Sequence, residues 1–87
     1  MNESLVRAIL DVAVFLEFAD DETVDPDAAV GAMEQLSATL QGMSLGDQAA
    51  FAIAVRRLSS RYESVEIAAF VSDLPDALGL AESKRAG

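Results

Sequence analysis

The chain contains no histidine, no cysteine and no tryptophan. These absences remove Cys/His zinc sites, thiol nucleophiles, Ser-His-Asp triads and imidazole acid–base chemistry. Without cysteine no disulfide frames the fold, and redox logic leaves the compartment undetermined. There are only two prolines and five glycines among 87 residues. The glycines are scattered, so no Gly-rich phosphate loop can be drawn. Period-two alternation is not sustained anywhere, and no Asn-Gly or Asp-Gly pair marks a hairpin. Internal repeats and low-complexity blocks are missing as well.

Bases are scarce. Six Lys and Arg stand against fifteen Asp and Glu, for a net charge of −9. Residues 1–48 hold ten acids and one base, Arg7, whereas residues 49–87 hold five of each. All of the net charge therefore lies in the first half. Phosphate backbones and anionic membranes are repelled by such a surface, which argues against nucleic-acid and membrane partners. A basic protein is the natural complement. The first apolar run, "LVRAILDVAVFLEFA", follows Glu3 rather than a basic cluster and carries Arg7, Asp11 and Glu17. It reads as neither an export signal nor a membrane span, and a cytoplasmic location is expected.

What the chain does have is apolar content, 52% of its residues, rich in Ala, Leu and Val. That composition at this length predicts one all-α domain, a bundle of about four helices with short loops over residues 1–80, followed by a frayed tail over 81–87. The first helix should run from Glu3 to Ala19. Leu5, Ile9, Val12 and Leu16 recur at helical spacing as its core stripe, widened by Val6, Leu10, Ala13 and Phe15. Glu3, Arg7 and Asp11 mark the polar line, which then passes between Val14 and Phe18.

The second helix should start with Asp25 as N-cap, Pro26 in the first position and Asp27 at the positive end of the dipole. Ala29, Met33, Leu36, Leu40 and Met43 give its apolar spacing, and Gly42 its end. Ser44 caps the third helix, whose stripe is Phe51, Val55, Leu58 and Tyr62. Either Ser60 with Glu63 or Ser64 alone can open the fourth helix, and a continuous helix is the alternative. Ile67, Phe70, Leu74 and Leu78 line it, with Val71 alongside. Pro75 should end it or begin a separate turn, and Gly79 should close the ordered part.

One stretch concentrates charge. Between residues 17 and 27 lie six acids, Glu17, Asp20, Asp21, Glu22, Asp25 and Asp27, and no base. Asp25 and Asp27 belong to a helix start; Asp20, Asp21 and Glu22 only solvate a loop on this reading. The acids do not match a twelve-residue calcium loop. Counted from Asp20, the glycine position holds Asp25 and the final glutamate position holds Gly31. Carboxylates in a hydrated loop keep low pKa values and are poor acid–base catalysts. No enzyme activity and no cofactor are expected. The candidate site is instead a partner-binding surface: Val14 and Phe18 as apolar anchors, with Glu17, Asp20, Asp21, Glu22, Asp25 and Asp27 as its charge.

The blocks "FLEFADDETVDPDAAVGAMEQL" and "FVSDLPDALGL" resemble a group of small acidic helical bacterial proteins, largely without assigned activity. In size, acidity and helical pattern the chain is similar in type to immunity proteins that neutralise bacterial toxins. The Tyr-Tyr-Pro-like element of the colicin-type members is absent here, where the single tyrosine is Tyr62. The resemblance implies a binding partner for a basic toxin or effector. Two alternatives stand beside it. One is a self-associating structural protein, with a homodimer formed through apolar helix faces. The other is an acyl-carrier-like protein, for which Ser44-Leu45 lacks the preceding Asp and Asp76-Ala77-Leu78 lacks the Ser.

Overall fold

A computed structural model describes residues 1–80. It contains four helices: α1 (Glu3–Phe18), α2 (Pro26–Gln41), α3 (Leu45–Ser59) and α4 (Val65–Ala77). No strand occurs among the described residues. The expected tail over 81–87 lies outside them. No described helix is long and apolar enough to cross a membrane.

Each helix begins on a side-chain oxygen that accepts a hydrogen bond from a first-turn amide. Asn2 takes Leu5 N–H at 3.1 Å, and Asp25 takes Ala28 N–H at 2.9 Å. Ser44 takes Asp47 N–H at 3.0 Å, and Ser64 takes Ile67 N–H at 3.2 Å. Such caps satisfy amides that the helix itself leaves without a partner. The third and fourth helices are thus separate, with Ser64 as the cap.

α4 continues through Pro75 to Ala77 rather than stopping before it. Pro75 falls in the last turn, and the chain then closes with Gly79 at φ +71°. There Leu80 N–H donates to Pro75 C=O and Gly79 N–H to Asp76 C=O, each at 3.0 Å. This double closure satisfies the terminal carbonyls and turns Leu80 back into the core.

The core is built from Val6, Leu10 and Ala13 of α1, Leu40 of α2, Phe51, Ala54, Val55 and Leu58 of α3, and Val71, Leu74, Leu78 and Leu80. α3 and α4 form the most extensive helix pair, and α1 packs on both as well as on α2. Small residues, Ala13 on α1 and Ala52 and Ala54 on α3, are buried in this central layer.

The inward face of α1 differs from the expected stripe. Val6, Leu10 and Ala13 are sealed, while Leu5, Val12 and Phe15 remain 64%, 56% and 53% exposed. α1 is apolar around most of its circumference, so periodicity alone did not select the face that α3 and α4 would cover. α2 contributes one buried side chain, Leu40; Met33 and Leu36 are only half-buried against the core.

Candidate functional site

Because α2 packs chiefly on α1, a gap opens between α2 and α4. It is a groove of about 650 Å³. Leu16, Val24, Met33, Phe70 and Leu74 supply its apolar lining. The charged residues that border it, Glu17, Asp21 and Glu34, are all acids. The far end is polar, where Ser37 and Gln41 of α2 reach across to the end of α4. Ser37 Oγ donates to Leu78 C=O at 3.0 Å, and Gln41 Nε2 donates to the same carbonyl at 2.7 Å. Below this clamp, buried Gln48 of α3 donates to Gln41 C=O and Met43 C=O, each at 3.0 Å. Gln41 is the last residue of α2 and Met43 lies just past it, so the clamp and Gln48 fasten that end to its neighbours.

The acidic stretch divides into structural residues and groove residues. Asp25 caps α2, and Asp27 lies in its first turn. Asp20, expected only to solvate the loop, organises it: its carboxylate accepts Thr23 N–H at 2.9 Å, and its carbonyl accepts from Thr23 and Val24. These hydrogen bonds from Thr23 hold the Asp20 carboxyl below the ordinary carboxylate range. Glu17 and Asp21 border the groove, while Glu22 is exposed in the connecting turn.

The two expected anchors also separate. Val14 is half-buried and packs on the core, so it is not a free anchor. Phe18 is 39% exposed and meets Phe70 edge to face, with ring centroids 5.5 Å apart. Phe70 lines the groove, so Phe18 braces the groove wall from behind. Met33, Glu34, Phe70 and the Ser37–Gln41 pair were not among the sequence-derived site residues. They come together only because α2 and α4 flank one gap, and no local spacing announces that.

A second cluster joins α1 to the α3–α4 connection. Tyr62 Oη donates to Asp11 Oδ1 at 2.8 Å, and Arg7 Nε donates to the same oxygen at 3.0 Å. The Arg7 guanidinium lies 4.6 Å from the centroid of the Tyr62 ring. Burial, reinforced by Asp11, pushes the Tyr62 hydroxyl up to about 12. The Tyr62 hydrogen bond, aided by Arg7, lowers the Asp11 carboxyl. Nearby, Arg57 pairs with Glu3 at 2.7 Å. The Tyr62–Asp11 and Arg57–Glu3 contacts tie α1 to the α3–α4 connection and to α3, beside a shallow surface depression that Glu3, Arg7 and Asp11 line.

Among the described residues, no group of carboxylates is arranged to hold a metal ion. Ser44 is engaged by Asp47 N–H as a helix cap, the role expected from its position. Comparison with protein-family models, with curated proteins and with solved structures gives no match.

Proposed function

We propose that the protein is a non-enzymatic binding module that captures a basic protein, as an immunity or antitoxin-like partner does, and that the α2–α4 groove is its recognition surface. The observation that carries this reading is an apolar groove whose charged border is wholly acidic. Its volume falls in the range of roughly 300–1,000 Å³ typical of ligand clefts. An amphipathic helix with a basic polar face matches both parts: apolar side chains at helical spacing fill the lining, and Lys or Arg reach Glu17, Asp21 and Glu34. The −9 net charge adds long-range attraction that raises the association rate.

The test uses a basic amphipathic peptide carrying one tryptophan. The protein has none, so peptide fluorescence reports binding without background. Saturable binding is expected, with an on-rate that falls as salt rises. Replacing Glu17, Asp21 and Glu34 by their amides should lower that on-rate, and Met33→Ala should raise the off-rate. None of the three acids caps a helix, so the fold should persist. Equal binding of a peptide with the same charge but no apolar face, or unchanged binding by both variants, would remove the groove from the proposal.

A further inference from the structure

The outward face of α1 carries a second surface, separate from the groove. Leu5, Ala8, Val12 and Phe15 are all exposed. At 100° per residue they fall within an arc of about 80°. Their spacing is three, four and three residues, the seam of a helix that pairs with another helix. No described helix covers it.

We infer that this seam pairs with the same seam of a second copy, in antiparallel orientation about a two-fold axis near Leu10. The spacing reads the same in both directions. Reversal about position 10 sets Leu5 opposite Phe15 and Ala8 opposite Val12, so large faces large and the smallest faces the medium-sized side chain. A two-fold interface must complement itself, and this arrangement does. Antiparallel helices also oppose their dipoles favourably.

Charge selects the same orientation. The acidic turn of Asp20, Asp21 and Glu22 follows the C-terminal end of α1. Near the N-terminal end, Arg57 pairs with Glu3, and Arg61 lines a shallow surface depression with Glu3, Ser4 and Arg7. Antiparallel pairing brings each acidic turn toward the partner's arginines, whereas parallel pairing would gather both acidic turns at one end. The four side chains offer on the order of 400 Å² per copy, about half of a standard interface. The dimer is therefore weak, populated at roughly 0.1–1 mM, and best sought at physiological salt, where a Debye length of about 8 Å screens the repulsion between two acidic copies.

Sedimentation equilibrium and cysteine cross-linking test this directly. The absence of native cysteine makes the cross-linking unambiguous. The parent chain should dimerise over that concentration range, and Phe15→Glu or Val12→Glu should leave a monomer of unchanged helicity. Under mild oxidation an equimolar mixture of Leu5→Cys and Phe15→Cys variants should form the mixed disulfide. Each variant alone should not, because equivalent positions would stand about 15 Å apart along the pair. A monomer throughout the range, a dimer that survives both glutamate substitutions, or cross-linking without preference for the mixed pair would overturn the inference. None of these substituted side chains lines the groove, so the outcome is independent of what the groove binds.

Discussion

Gly79→Ala should destabilise the protein far more than a single added methyl suggests. Gly79 sits at φ +71°, where a Cβ meets the backbone unfavourably; that conformation costs an alanine on the order of 1 kcal/mol. The same Cβ would stand 2.9 Å from Gln41 Nε2 and displace the amide from Leu78 C=O. Losing that hydrogen bond costs about 1 kcal/mol more. The whole effect is about 2 kcal/mol, a fall in Tm of roughly 8–16 °C for a domain of this size. Urea unfolding followed by far-ultraviolet circular dichroism measures it. A double-mutant cycle separates the two causes. Gln41→Ala alone should cost about 1 kcal/mol, since Ser37 Oγ still donates to the Leu78 carbonyl. The double variant should lose about 2 kcal/mol rather than about 3, because the displaced hydrogen bond is already gone. Strict additivity would refute the clash with Gln41, and a cost below about 0.5 kcal/mol for Gly79→Ala would refute the whole argument.

Tyr62 is the only tyrosine and there is no tryptophan, so tyrosinate absorbance reports this side chain alone. Its ionisation in the folded protein should be centred near pH 12 rather than 10. The folded pKa is raised, so the contribution of neutral Tyr62 to stability is complete below pH 10 and is lost as pH rises toward 12. Tyr62→Phe should abolish that alkaline loss; an unshifted titration would show that neither the burial of Tyr62 nor its hydrogen bond to Asp11 persists in solution. In the core, Phe51→Ala should cost about 3–5 kcal/mol in chemical denaturation, whereas Leu5→Ala on the outer face of α1 should stay within about 0.5 kcal/mol at dilute concentration. The reverse order would mean that the faces of α1 and α3 are misassigned.

Local chemistry was legible in the sequence, and relations between helices were not. Asp25, Ser44 and Ser64 cap helices because a short polar oxygen before an apolar run has one energetically favoured partner, the first-turn amides. The stripe of Phe51, Val55 and Leu58 was equally readable from its helical spacing, although Ile53 of the same helix stays exposed and Tyr62, expected to extend the stripe, falls beyond the helix end in the α3–α4 connection. α1 has a clear polar line, but its apolar face is too broad to show which part is covered. Its exposed Leu5, Val12 and Phe15 look no different in sequence from its buried Val6 and Leu10. Asp20 forms its turn as an aspartate commonly does, accepting from Thr23 and Val24, but the neighbouring Asp21 and Glu22 carry the same carboxylate, so the sequence does not single it out. The groove was invisible for a different reason. It is a space between α2 and α4, fixed by which neighbours α2 packs on, and only its acidic entrance at Glu17 and Asp21 falls within the charged stretch 17–27.

The one-sided seating of α2 has a consequence for amide exchange. The C-terminal end of this helix is held by Leu40 in the core, by Gln48 beneath its last carbonyls, and by Ser37 and Gln41 on Leu78. Its N-terminal half has no sealed side chain: Ala28, Val30 and Gly31 are exposed and Met33 is half-buried. Protection against deuterium should therefore rise along α2 from the first turns to the last, while amides around Phe51 and Val55 of α3 exchange only through global opening. Val30, Met33 and Glu34 ride on the weakly held arm, so the width of the groove is coupled to the opening of that arm, and a ligand seated there should slow exchange first in residues 29–34.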